Sequence, residues 1–411
     1  MNAPLPQHAL PLPFAVEDDC LVVGGMSLPA LAARIGSTPF YAYDRSLIAQ
    51  RVALLRRHLP EEVELHYAIK ANPMPALVSW MAGHVDGLDV ASGRELRVAL
   101  DGGMAPASIS FAGPGKSEAE LAQAVAAGIL LNVESFREVR TLGRLARETG
   151  RIARVAVRVN PDFELKSSGM KMGGGPRPFG VDAEQVPGLM EEIGVLGLGF
   201  EGLHIYSGSQ NLRAAAIVEA QQRSLELAVR MAAYAPTAVR SLNLGGGFGI
   251  PYFAGEQPLD LGAVGKHMHR LVEHAARALP QARLALELGR YLVGEAGVYV
   301  CRVIDRKISR GQVFLVTDGG LHHHLAASGN FGQVLRKNYP VVIGNRVAGQ
   351  ARETASVVGP LCTPLDVLAE RMELAVAEPG DLVAVLQSGA YGFSASPLAF
   401  LGHPPPVEAL V

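Results

Sequence analysis

Between residues 66 and 290 the hydrophobic positions come in short, near-continuous runs: HYAIK (66–70), GLDVA (87–91), ISFAG (109–113), LLNVE (130–134), RVAVRVN (154–160), FEGLHIYS (200–207), SLNLGGG (241–247) and LALELGR (284–290). Such runs predict strands buried on both faces, as in a parallel sheet. Helical periodicity fills the intervals. Ser92, Ser117 and Ser135 each stand behind a strand and have a glutamate three positions on, Glu95, Glu120 and Glu138. In this pattern serine and glutamate satisfy the free amides of a helix start reciprocally. Three such starts behind three successive strands predict repeated strand–loop–helix units. Eight units predict an α/β fold with a (β/α)8, TIM-type barrel over 37–291, an open doubly wound sheet being the alternative.

Beyond residue 291 the pattern changes. GVYVCRVIDRKIS, QVFLVTDGG, YPVVIGN, ETASVVGPLC and DLVAVLQSGAY are β-type runs with short turns. They predict a separate all-β domain over 292–411. The first 36 residues hold a short run, CLVVGG, expected to pair with that domain and complete it.

Composition narrows the class. With 18% charged and 49% hydrophobic residues the chain is globular rather than disordered. The charges nearly cancel, at 37 basic against 39 acidic, so no electrostatic footprint for nucleic acid or for a membrane surface is expected. No apolar run reaches about 18 residues, and the start lacks the order of a signal peptide, which together predict a cytoplasmic protein. Cys20, Cys301 and Cys362 are too few and too scattered for a disulfide framework or a zinc site. Glycine, 46 of 411 residues, is in excess, which implies loops of special geometry or backbone lying against a ligand.

A barrel of this kind carries its site at the carboxyl ends of the strands. Those ends bring Lys70, Asp89, Arg158, His204, Tyr206 with Ser209 just beyond, the loop Gly245–Gly246–Gly247, and Glu287–Leu288–Gly289–Arg290. Lys70 ends an apolar strand; buried there, it would lose its proton readily enough to form an imine, the alternative being a side chain that snorkels to the barrel mouth. Three successive glycine amides can close on a phosphate, or simply make a tight turn. His322–His323–His324 invites a metal reading, but adjacent strand residues face opposite ways, so no metal is expected. A lysine, a phosphate cradle, a buried acid and an arginine together suit pyridoxal phosphate.

At this point the chain resembles a known family, the fold-type III pyridoxal-phosphate decarboxylases acting on diaminopimelate, ornithine and arginine. The residues carrying the likeness are Y-A-I-K-A-N-P (67–73), D-V-A-S-G-R-E (89–95), R-V-N-P (158–161), G-L-H-I-Y-S-G-S-Q (202–210), G-G-G-F-G (245–249), E-L-G-R (287–290), G-P-L-C (359–362) and S-G-A-Y (388–391). The resemblance implies that Lys70 is the Schiff-base lysine and that Glu287 pairs with the ring nitrogen. It implies that Ser209, Gly245–Gly247, Gly289, Arg290 and Tyr391 hold the phosphate, with Asp89, Arg158, His204 and Tyr206 around the lysine and ring. It further implies a homodimer with shared active sites, in which Cys362 of the neighbouring subunit is the proton donor and Arg290, Thr363 and Tyr391 meet the substrate.

Three departures bear on the substrate. Tyr206 stands where the family has a histidine that stacks on the ring. Thr363 follows the cysteine where the diaminopimelate and ornithine enzymes have an acid that grips a distal amine. HHHLAASGN (322–330) replaces a stretch with an arginine and a tyrosine. The segments 170–180 and 388–404 are similar to a narrower group of exosortase-A-system-associated and butirosin-type decarboxylases whose substrate rides on a carrier protein. The expectation is decarboxylation of an amino acid tethered as a carrier thioester, with Lys166, Lys171 and Arg177 either facing an acidic carrier or lying on an ordinary solvated loop. The alternatives are meso-diaminopimelate decarboxylase, an amino-acid racemase and a non-catalytic pyridoxal-phosphate carrier.

Overall fold

The computed structural model describes residues 4–8, 13–164, 170–171, 173–333 and 336–411. The chain divides into two compact units. One comprises Val52–Ile250 and Pro258–Gly289, and the other Met1–Arg51, Pro251–Gln257 and Arg290–Val411. No helix among the described residues is long and apolar enough to cross a membrane.

The first unit is a closed barrel of eight parallel strands: β1 (Val63–Ala68), β2 (Gly87–Val90), β3 (Ile109–Phe111), β4 (Leu130–Val133), β5 (Arg154–Asn160), β6 (Gly199–Ile205), β7 (Ser241–Gly246) and β8 (Arg283–Leu288). Each pairs in parallel with the next, and β8 closes on β1 with Glu287 opposite His66. Closure excludes the open sheet. The strands are short and buried on both faces because helices cover the outside while the inside is filled by side chains, the arrangement that continuous apolar runs anticipate.

All three serine caps are present. Ser92 accepts from the Glu95 amide, Ser117 from Glu120 and Ser135 from Glu138. The reciprocal box is complete only at Ser117. The carboxylate of Glu95 instead accepts from the Ala91 amide at 2.6 Å, and that of Glu138 from the Glu134 amide at 2.8 Å. Each thus ties down the strand end one residue further back. The Glu138 carboxylate also holds the Lys116 ammonium at 3.1 Å, both side chains being 1% exposed.

The second unit is built on an antiparallel-rich sheet in the order Val341–Ile343, Leu382–Val385, Gly297–Ser309, Gln312–Thr317, Arg352–Val358, Val367–Ala375. Phe40–Tyr43 adds to it beside Gly297–Ser309, with Val407–Leu410 alongside. The run CLVVGG does not join this sheet. Cys20–Val23 pairs with Val16–Glu17 and Met26–Ser27 in a small sheet of its own. It packs instead: Phe14, Leu21, Val23, Leu28 and Leu31 share a core with Phe40, Val298, Val300, Leu382 and Ala384. The strand that does add to the sheet, Phe40–Tyr43, comes from the stretch expected to belong to the barrel. An isolated four-residue apolar run carries no periodicity that could say which sheet it joins.

His322, His323 and His324 lie in a turn, not on a strand, and are all buried. Burial pushes their pKa values down to about 3, 4 and 3, with the neighbouring histidines adding to the effect at His322 and His323, so all three are neutral at pH 7. His323 lies between the Tyr299 hydroxyl and the Pro404 carbonyl, and His324 Nε2 faces the Ser388 hydroxyl at 2.9 Å.

Candidate active site

The barrel gathers the expected residues at one end. After β1 the chain makes a single helical turn, Ile69–Ala71, closed by the Asn72 amide on the Ile69 carbonyl at 2.9 Å. The Asn72 side chain then accepts from the Met74 amide, and Pro75 opens the following helix. Lys70 therefore sits on a rigid turn rather than at the end of a strand. Its side chain is 43% exposed, which is the snorkelling arrangement rather than the buried one, because the turn lifts it out of the barrel wall. It reaches back to Glu287 Oε1 at 3.3 Å and lies 5.5 Å from the centre of the Tyr206 ring.

Glu287 is 5% exposed, and its second oxygen stands 3.2 Å from His204 Nε2. Burial alone would raise its pKa, but the charge of Lys70, the close approach of His204 and the charge of Arg158 outweigh burial and hold the carboxyl well below the usual range. A buried carboxylate that stays ionised is the partner a protonated pyridine nitrogen requires.

Arg158, closing β5, is oriented by a residue that sequence reasoning passed over. Glu134, just past β4, accepts from Arg158 at 2.9 Å and from the amides of Gly113 and Gly180 at 2.6 and 3.0 Å. Phe179 covers the guanidinium at 5.1 Å. The signal was available, since Glu134 ends the run LLNVE, but its role depends on Gly180 arriving from a distant loop.

Asp89 is 5% exposed. Its Oδ1 accepts from the Ser110 hydroxyl at 2.5 Å, Ser110 in turn accepts from Asn132 at 3.1 Å, and Oδ2 has no partner among the described residues. Ser209 lies in a short strand paired with Met170–Lys171. Arg177 points back to the Gly174 carbonyl at 3.2 Å, and Lys166 lies outside the described residues.

The glycine loop packs so closely on neighbouring strand ends that side chains would strike backbone. A Cβ on Gly246 would stand 2.0 Å from the Glu287 carbonyl oxygen, and one on Gly247, at φ +73°, would stand 2.0 Å from that of Gly208. Gly289 allows the end of β8 to pack on the Lys70 turn, where a Cβ would meet that of Ala71 at 2.8 Å. A loop of three glycines at the end of β7, a lysine within reach of a buried ionised acid, and a buried carboxylate oxygen left over at Asp89 fit pyridoxal phosphate.

In the second unit Arg290 donates to the Tyr252 hydroxyl at 3.0 Å and lies 4.7 Å from the centre of the Tyr391 ring, while its Nε has no partner among the described residues. Although burial works against it, contact with Tyr252 and Tyr391 keeps the guanidinium firmly charged. Tyr391 itself has φ +55°, a strained conformation for a tyrosine. Cys362 is exposed and Thr363 half-buried on the loop before Val367.

Comparison with known proteins agrees with this chemistry. Residues 45–294 match the family model described as the pyridoxal binding domain of pyridoxal-dependent decarboxylases. The chain is 39% identical over 389 residues to an L-glutamyl-[BtrI acyl-carrier protein] decarboxylase of Niallia circulans, covering 93% of this chain and 90% of the relative. It is 33% identical to a diaminopimelate decarboxylase of Aquifex aeolicus, with coverage of 92% and 88%. Among solved structures it superposes on diaminopimelate decarboxylase from M. jannaschii in complex with L-lysine, with a TM-score of 0.87, 25% identity and coverage of 98% and 94%. The chain therefore belongs to the pyridoxal-dependent decarboxylases, with pyridoxal 5'-phosphate as its cofactor.

Proposed function

We propose that this enzyme decarboxylates an amino acid at its α-carbon while the substrate is held as a thioester on an acyl-carrier protein. The observation that carries the reading is the 39% identity, over 93% of the chain, to a decarboxylase whose named substrate is a glutamyl-carrier protein. The sequence departures support it. Thr363 offers no charge to a distal amine, and the buried histidines of 322–324 are neutral, so neither group suits a free diamino acid with charges at both ends.

In the reaction the bond between the α-carbon and its carboxylate breaks, carbon dioxide leaves, and a proton takes its place. Pyridoxal phosphate, when bound, supplies the sink for the electron pair left on carbon. Lys70 tethers the cofactor, and Glu287, held ionised by Lys70, His204 and Arg158, keeps the ring nitrogen protonated. Glu134 fixes Arg158. The backbone of the Gly245–Gly247 loop and the Ser209 hydroxyl would hold the phosphate. Arg290, steadied by Tyr252 and Tyr391, takes an anionic group. Cys362, acting from the other subunit of a homodimer, delivers the proton.

The test is carbon-dioxide release from purified holoenzyme given free amino acids, free meso-diaminopimelate, or aminoacyl thioesters loaded on a carrier protein. The expected result is turnover of a carrier-bound glutamyl thioester at least about tenfold above any free amino acid, a difference of about 1.4 kcal/mol in the barrier. Efficient turnover of free meso-diaminopimelate overturns the carrier reading and leaves the decarboxylase in place.

A further inference from the structure

His66 lies immediately before the motif that carries Lys70 and has no part in the family resemblance. It faces into the barrel wall opposite Glu287 in register, with a side chain only 13% exposed. Its Nδ1 stands 3.3 Å from Asp89 Oδ1 and its Nε2 stands 3.5 Å from Glu64 Oε2. A ring between two carboxylates can satisfy both only by donating from both nitrogens, which makes it a cation. No Cβ could stand beneath it, for one on Gly87 would come within 2.7 Å of the imidazole. Strand β2 thus leaves room for the ring.

The ring also borders a cavity of about 440 Å³, lined by His66, Ser110, Glu64, Arg154, Glu201 and Arg283 among others. His66 and Ser110 both hold Asp89 Oδ1. The cavity therefore reaches within one side chain of Asp89. The other charges facing this space are largely paired, Glu64 with Arg283, Arg154 with Glu201, and Asp86 with Arg56, while Arg240 also lines it. Burial opposes a charge on His66, but Asp89 and Glu64 outweigh it and push the pKa up to about 10.

We propose that His66 is a positioning residue for the decarboxylation: a buried imidazolium that fixes the Asp89 carboxylate from below and leaves Asp89 Oδ2 for the reacting end of the barrel. The proposal deepens the function given above and rests on it for the place of Asp89 beside the cofactor; its first test does not. Losing His66 leaves the Asp89 carboxylate buried without its cation, which disturbs Asp89 and through it the site.

Histidine-labelled holoenzyme, with the His66 signal assigned by comparison with H66N, is titrated by NMR. Both ring nitrogens are expected to stay protonated at pH 8.5, and in D89N the ring is expected to lose its proton at least about one pH unit lower, equivalent to about 1.4 kcal/mol. A neutral ring at pH 7.5, or a titration unmoved in D89N, overturns the proposal whatever the substrate proves to be. The kinetic arm compares two variants. In H66N the amide nitrogen takes the place of Nδ1 and still donates to Asp89, whereas in H66Q it takes the place of Nε2 and does not. H66Q is expected to lose about tenfold or more in kcat with KM within about twofold, and H66N to lose less. Equal kcat in the two variants, or wild-type kcat in folded, cofactor-bound H66Q, overturns it. If H66Q fails to fold, the NMR comparison of wild type and D89N still decides.

Discussion

Lys70 and Glu287 are 217 positions apart in sequence, yet their charged atoms are 3.3 Å apart, and the properties of each follow from the other. The carboxyl is buried but ionised because a half-exposed ammonium and His204 compensate it. The lysine is accessible because its helical turn carries it past the strand. Its replacement gives the simplest check on the site. Lys70→Ala is expected to abolish the visible absorbance of bound cofactor in purified protein, and an unchanged spectrum would remove Lys70 as the tether. Of the residues read from sequence, those at strand ends were legible because the barrel rule gives strand ends a meaning. Glu134 and His66 were not, since each acts through a partner on another strand or loop.

At the level of elements, the strand–loop–helix units are held by glutamates that do more than cap. Glu138 serves the start of helix Phe136–Thr149, the Glu134 amide and the Lys116 ammonium at once. Burial lowers the pKa of Lys116, and Glu138 opposes that shift. Removing one member of such a pair strands the other charge in the interior, which typically costs about 3–5 kcal/mol. Glu138→Gln is therefore expected to lower the denaturant midpoint sharply, while Ser117→Ala, at an exposed cap, costs about 1 kcal/mol. Similar losses in the two variants would show that the Lys116 pair is not an important support. The box pattern was visible in sequence at all three serines. Which glutamates would turn away from their serines was not, because that depends on the next strand's position.

For the whole molecule, the proposed homodimer makes a sharp prediction. If Cys362 serves the neighbouring subunit's site, Lys70→Ala and Cys362→Ala homodimers are each inactive, but a mixed dimer carries one intact site. Random reassortment of equal amounts makes half of the dimers mixed, so about a quarter of wild-type activity is expected to return. No recovery on mixing, with mixed dimers demonstrated by mass, would place the cysteine in its own subunit's site or outside the reaction.

The sequence alone determined the kind of fold and the kind of chemistry. Apolar runs at regular spacing dictate strands buried on both faces, eight of them suffice to close a barrel, and strand ends in a barrel are where side chains can converge on a ligand. The glycine excess was meaningful for the same reason, since Gly246 and Gly247 stand where any side chain would strike backbone. Tertiary structure decided what depends on approach between distant segments. It placed Phe40–Tyr43 in the sheet of the second unit, kept Cys20–Val23 out of it, and set three adjacent histidines in a buried turn. It also closed β8 on β1, which puts Glu287 opposite His66. A one-dimensional pattern records which faces must be buried; only packing settles which charged groups are left to find one another there.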